Sequence, residues 1–467
     1  MKRNKSYGRI PKWIVFFALV LAAAPLSPSI RGLELPPLVR HAFDNGMRVL
    51  YVNDDLPQTT LIAMVGYGRL HENRETAGLS SLLAETLDLA GSKKYPGKAL
   101  REAVESMGGR LSIESSWEST VISIKVLSRF TGRALDILSD LISDPNLNRG
   151  DLETARSIQI DDLRRKYDDP ATIAFEKARE TLFNGKGYGS LPTVRGMSSY
   201  RLEDLERVWR EYFTAGNIIL GINSSQGPEE MMTAAASCFS RVRKGVRMDY
   251  AADEEEIRRS LEKARGVIYL YPRDIPQATI VMATGAPSIN DEGTYSLSLM
   301  NYILGEGSFN SRLMSEIRVK RGLAYAVQSV MRFRYATGVF MAFAQTENSS
   351  VAEVLGLMEE NIGAMTKDAV PERDLNWAKK AVRNSYIFNF DTTMNVLGNY
   401  LDAEYNRLPD DYFTAYLDRI EAVSQDDILR RSGRVFSGGL VRVVVGSEEL
   451  VKPLSSVGTV VLLPKEE

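Results

Sequence analysis

The stretch Asp55-Leu56-Pro57-Gln58-Thr59-Thr60-Leu61-Ile62 returns as Asp274-Ile275-Pro276-Gln277-Ala278-Thr279-Ile280-Val281, at a constant offset of 219 residues. Each copy follows an apolar strand-like run (48–52 and 266–271). Each precedes a second strand and then a helix-like segment (76–90 and 294–304). A chain that repeats an order of elements folds as two related units, because each copy needs its own core. At 467 residues the chain is long enough for more than one core. Between the copies lies a charged stretch, basic at 241–244 and acidic from Asp253 to Glu256, which reads as a linker over 246–261. The expected halves are 33–245 and 262–455.

Within the first half, residues 110–116 and 118–126 read as strands, with Val121, Ile122, Ile124 and Val126 marking the apolar positions. Residues 99–107, 131–142 and 149–167 read as helices. Strands and helices do not alternate as βαβ units. The expected class is α+β, with helices packed on a mostly antiparallel sheet in each half.

A net charge of −2 gives no global attraction to nucleic acid or anionic membrane, and the basic patches are short and not interleaved with aromatics. One cysteine, Cys238, rules out an internal disulfide framework and cysteine-rich metal sites. Its alanine-rich surroundings suggest a buried structural thiol. Lys2, Arg3, Lys5, Arg9 and Lys12 precede an apolar run over 13–24 that ends in Ala22-x-Ala24. This is a signal-peptide pattern, so residues 1–30 are expected to be a signal peptide, or an anchor if uncleaved. A mitochondrial presequence would be amphipathic instead. Export to a periplasm or cell envelope is expected, with membrane contact only if the segment persists.

Residues 76–90 read as one helix, opened by a capping Thr76, with Leu79, Leu82, Leu83 and Leu87 on one face and Gly91 as its stop. Ser81 and Glu85 lie one turn apart, where a zinc peptidase could place two histidines. The only histidines are His41 and His71, and neither lies on this helix. No P-loop or G-x-S-x-G elbow is present. Gly305-Glu306-Gly307 reads as a tight turn.

The run Asp44-Asn45-Gly46-Met47-Arg48-Val49, the Gly66-to-Glu75 loop and Gly78-Leu79-Ser80-Ser81-Leu82-Leu83-Ala84-Glu85 together resemble the opening of the insulinase/pitrilysin family of inverted zincins. In that family the helix reads G-L-x-H-x-x-E-H. The resemblance therefore implies that both histidine ligands are replaced, by Ser81 and Glu85, and the general-base glutamate by Ala84. The family's third ligand, a Glu on a later helix, falls in Ile160-Asp161-Asp162-Leu163, at Asp162. Two carboxylates, Glu85 and Asp162, would remain. An oxygen-only pair suits zinc poorly, and no carboxylate is left to take a proton from bound water.

The second half holds Ser311-Arg312-Leu313-Met314-Ser315-Glu316-Ile317-Arg318-Val319-Lys320-Arg321-Gly322-Leu323-Ala324-Tyr325, which resembles the motif of the family's non-zinc half. Its Arg and Tyr fall on Arg318 and Tyr325. In the family they reach across a chamber, enclosed by two related domains, toward a substrate at the zinc. The resemblance implies a noncatalytic subunit of a heterodimeric zinc endopeptidase acting on peptides or unfolded segments, with zinc in the partner and no cofactor here. The alternative is a peptide-binding or scaffold protein of the same fold. A third option is a homodimer binding peptides along an edge strand such as 110–116.

Overall fold

The computed structural model describes residues 29, 30 and 33–464. The expected targeting run over 13–24 lies outside them. Two short strands, β1 (Ser29–Ile30) and β2 (Leu33–Glu34), pair ahead of the first half. The first sheet contains β3 (Leu38–Ala42), β4 (Arg48–Asn53), β5 (Gln58–Val65), β6 (Arg110–Ser115), β7 (Thr120–Leu127) and β8 (Ile218–Ser224). The second contains β9 (Val267–Pro272), β10 (Gln277–Ala286), β11 (Ala324–Arg332), β12 (Gly338–Glu347), β13 (Val441–Gly446) and β14 (Thr459–Leu462).

Read from one edge, the first sheet runs β6-β7-β5-β8-β4-β3 and the second β11-β12-β10-β13-β9-β14. Five positions correspond one for one. β5 and β10 both begin at the glutamine of the repeated segment, Gln58 and Gln277. Pairing is antiparallel except at β4/β8, β9/β13 and β9/β14. The expected α+β class with two related, mostly antiparallel sheets is what the chain adopts.

The first half carries α1 (Leu79–Ala90), α2 (Lys98–Glu105), α3 (Thr131–Ser143), α4 (Arg149–Lys166), α5 (Pro170–Leu182), α6 (Val194–Ser199), α7 (Leu202–Tyr212) and α8 (Pro228–Phe239). The expected linker is partly helical: α9 (Glu254–Ala264) lays Leu261 and Ala264 against the second sheet. There follow α10 (Thr294–Asn301), α11 (Val351–Lys367), α12 (Glu372–Tyr386), α13 (Thr393–Asn406), α14 (Tyr412–Ala422), α15 (Gln425–Phe436) and α16 (Val451–Leu454). In the first half Leu82, Leu83 and Leu87 of α1 join Leu135 and Leu138 of α3 over Ile122 and Ile124. Cys238 packs at the margin of this core, half-buried rather than fully buried, and burial pushes its thiol pKa up.

Each half lends a helix to the other. Ile173, Ala174, Ala178 and Leu182 of α5 pack on Val281 and Ala283 of β10 and on Val441, Val443 and Val445 of β13. Val396, Leu397 and Leu401 of α13 pack on Leu50 and Val52 of β4, Ile62 and Met64 of β5, and Ile219 of β8. Both faces of each sheet centre are thereby covered, which is why β8 and β13 are buried throughout and rich in Ile, Leu and Val on both faces. Burying a large aliphatic side chain contributes roughly 1.5–3 kcal/mol. The five Ile, Leu and Val side chains named on α5 and α13 thus stabilise the union of the halves by on the order of 10 kcal/mol.

Candidate functional site

Helix α1 starts three residues later than the sequence suggests. Gly78 takes a left-handed φ of 87°, a conformation that favours glycine, and turns the chain into the helix. Thr76 does not cap it; its Oγ1 accepts from the Asn73 N–H at 3.0 Å. The cap comes from Glu72, whose carboxylate accepts from the Gly78 N–H (2.9 Å) and the Ser80 N–H (2.8 Å). Glu72 is buried, and burial pushes its carboxyl up from the usual range.

From this helix Ser81 opens into a cleft of about 490 Å³, lined also by Asp162, Gln159 and Lys166 of α4, by Arg69, and by Ser115, Ser116 and Trp117 of the β6–β7 hairpin. Ala84 is in the core. Glu85 does not line the cleft and accepts a long contact from Gln159 Nε2 at 3.5 Å. Asp162, with 54% of its side chain exposed, forms an ion pair with Arg165 on its own helix. Ser81 Oγ donates to the Gly78 carbonyl (2.9 Å). Among the described residues no three His, Cys, Asp or Glu side chains converge as a metal site. The donors at positions 81, 85 and 162 do not suit zinc: one is a neutral hydroxyl, one carboxylate lies outside the cleft, and one is paired with a cation.

Beneath the cleft sits a cluster the sequence does not reveal. Glu176, on the lent helix α5, meets Arg69 (3.0 Å), Lys166 (2.5 Å) and Arg179 (3.7 Å). Burial works to raise its pKa, but the three cations outweigh burial and hold the carboxyl at about 2. Trp117 is surrounded by three guanidiniums: Arg69 at 4.7 Å, Arg179 at 4.8 Å and, from the second half, Arg334 at 4.9 Å. Of the two histidines, His41 lies exposed on β3. His71 is largely buried beside Tyr67 and Tyr212, and burial lowers its pKa to about 4.

The second half builds a separate wall. The helix through Arg318 is π-helical (Met314–Val319); Gly322 then takes φ 68° and the chain enters β11. A register shift between Ala324 and Ala326 makes Tyr325 the extra residue of a β-bulge on an edge strand. A bulge re-aims a side chain, and 72% of Tyr325 is exposed. The Arg318 Cζ lies 5.8 Å from the Tyr325 ring centroid and 5.7 Å from that of Phe309. Lys320 and Arg321 both pair with Glu316, whereas Arg318 has no carboxylate within ion-pair distance among the described residues. Gly305-Glu306-Gly307 is not a tight turn. It ends a second π-helical segment (Tyr302–Glu306), and a Cβ on Gly305 would stand 2.4 Å from the Ser329 backbone nitrogen.

The structure therefore brings Arg318 and Tyr325 together, and places Ser81 and Asp162 in one cleft. It does not join the two sets, since every residue lining the cleft belongs to the first half. Sequence reasoning missed Phe309, a lone aromatic in a turn with no periodic signal.

Two family profiles match the chain: Insulinase (Peptidase family M16) over residues 48–191, and Peptidase M16 inactive domain over residues 199–382. A Rickettsia felis protein called an uncharacterized zinc protease is 24% identical over 87% of this chain and 97% of its own length. A Helicobacter pylori protein called non-peptidase homolog YmxG is 23% identical over 79% of this chain and 83% of its own. The crystal structure of a peptidase M16 inactive domain from Pseudomonas fluorescens superposes with a TM-score of 0.75 at 19% identity, covering 88% of this chain and 98% of that one. With the repeated sheets, the altered zinc motif and the retained Arg/Tyr motif, these likenesses establish that the chain belongs to the insulinase family, peptidase family M16, as a member without the zinc motif.

Proposed function

We propose that this chain is the zinc-less subunit of a heterodimeric zinc endopeptidase that cleaves peptides or unfolded protein segments. The observation that carries the reading is Arg318: a guanidinium with no carboxylate partner among the described residues, held 5.8 Å from the ring of an exposed, bulged-out tyrosine. A guanidinium and a phenol both donate hydrogen bonds, and a carbonyl oxygen turning negative in a tetrahedral transition state is their natural acceptor. The donors at positions 81, 85 and 162 suit zinc poorly, so on this reading the zinc is held by a homologous partner subunit and no cofactor is assigned to this chain. The name non-peptidase homolog, carried by the Helicobacter pylori relative, fits such a division of labour. The basic head and apolar run of the first 24 residues support a location in the periplasm or cell envelope.

The experiment is chelator-sensitive cleavage of a long quenched peptide. Tagged protein recovered from its native host is compared with the same chain made alone in a foreign host. Activity only in the native preparation, with a stoichiometric zinc-bearing partner, is the expected result. In that complex Arg318→Ala or Tyr325→Phe lowers turnover about 10–1000-fold and leaves assembly intact. Unchanged turnover in both variants sinks the role of these side chains. Absence of activity and partner in both preparations favours the second reading, a peptide-binding scaffold, for which the free edge of β6 beside the cleft speaks.

A further inference from the structure

Phe309 is the third member of the Arg318 wall, and several features spend stability to place it there. Ser308, a non-glycine residue, takes φ 55°, a left-handed conformation that disfavours an L side chain. Gly307 before it admits no side chain, because a Cβ would stand 2.3 Å from the Trp377 ring. The turn lies between two π-helical segments, Tyr302–Glu306 and Met314–Val319, a form concentrated at functional sites. The outcome of these constraints is a phenyl ring 63% exposed, on the same guanidinium of Arg318 that Tyr325 flanks.

An occupant of this wall has to satisfy three features at once. Arg318, which pairs with no carboxylate among the described residues, calls for an oxygen acceptor. The edge of β11 presents unpaired backbone groups. Phe309 and Tyr325 offer apolar surface next to the guanidinium. An extended peptide with a carbonyl at Arg318 and an apolar side chain beside it supplies all three. We infer that Phe309 is the specificity-determining residue of this wall, which selects peptides carrying a bulky apolar side chain next to the carbonyl held by Arg318. The inference rests on the proposed role of Arg318 and Tyr325 against a peptide carbonyl, and is independent of who the partner is.

The test uses the purified chain alone and fluorescein-labelled, unstructured Gly/Ser peptides that differ in one central residue: Phe, Leu or Ala. Anisotropy titrations are expected to give about 10-fold tighter binding of the Phe and Leu peptides than of the Ala peptide. Phe309→Ala brings that ratio close to one by weakening the Phe and Leu peptides most, while the thermal unfolding stays native-like. Phe309→Leu keeps most of the preference, and Arg318→Ala weakens all three peptides alike. Equal binding of the three peptides by the native chain, a ratio untouched by Phe309→Ala, or no binding at all overturns the inference. A Phe309-dependent preference in a chain that recruits no zinc partner upholds it and overturns only the heterodimer.

Discussion

Arg69, in the loop after β5, binds Glu176 on the lent helix α5 at 3.0 Å, so the helix that covers the second sheet is tied back to the cleft of the first half. Glu176 neutralises part of the charge of Arg69, Lys166 and Arg179, and with its pKa held at about 2 it is ionised across the physiological range. Its folded pKa lies below the unfolded value of 4.5. Its contribution, on the order of 3 kcal/mol, is thus full above pH 4.5 and is lost as pH falls toward 2. Glu176→Gln leaves three cations together without their carboxylate and is expected to destabilise the chain by about 3–5 kcal/mol at pH 7. The variant is also expected to show a flatter loss of stability below pH 4.5. Urea titrations at a series of pH values measure both; a native-like midpoint at pH 7 contradicts the tie.

His71 titrates in the opposite chemical sense and with the same outcome in acid. Burial disfavours its charged form and lowers its pKa from 6.5 to about 4, while its Nδ1 accepts from the Gly68 N–H at 3.3 Å. The unfolded chain binds the proton more readily, so stability falls as pH drops from 6.5 to 4. A loss on the order of 3 kcal/mol is expected over that window. His71→Gln removes this slope and leaves the Glu176 slope below it. Persistence of the upper slope in the variant assigns it elsewhere.

Glu72 and Thr76 compete for the role of capping α1, and the structure gives it to Glu72. Two hydrogen bonds from backbone N–H groups to a buried carboxylate are stronger than one to a hydroxyl. Glu72→Ala is expected to cost about 2–3 kcal/mol and Thr76→Ala less than about 1 kcal/mol. Chemical denaturation of the two variants decides between them, and the reverse order returns the cap to Thr76.

The duplicated fold was legible because a repeated segment at one offset fixes equivalent strands, and equivalent strands in two copies take the same place in each sheet. Arg318 and Tyr325 were legible only through the resemblance of residues 311–325 to a family motif, because an Arg and a Tyr seven residues apart carry no signal of their own. The helix exchange was not. The stripe Ile173, Ala174, Ala178 and Leu182 says that α5 has a buried face, but not whose sheet receives it. Nor did one-turn spacing place Glu85 in the cleft with Ser81. Four residues advance a helix by about 400°, and that residual rotation matters where the cleft is narrow. Phe309 and the bulge at Tyr325 leave no mark on hydrophobic periodicity and emerge only from the backbone.

Gly221 on β8 is the seat of the second exchanged helix, and it supplies the sharpest check on the exchange. A Cβ there would lie 2.9 Å from Leu401 Cδ1 and 3.3 Å from Leu397 Cδ2, so α13 can approach the first sheet only because the strand has no side chain at this point. Gly221→Ala is expected to cost about 1–3 kcal/mol by overpacking, and Leu401→Ala about 2–4 kcal/mol by leaving a cavity. The two changes meet in one space. The methyl added at residue 221 partly fills what Leu401 vacates, and the double variant is expected to be at least about 1 kcal/mol more stable than the sum of the single effects. Urea midpoints of the four proteins measure the coupling. Strict additivity would mean that α13 does not rest on β8, and the union of the halves would need another explanation.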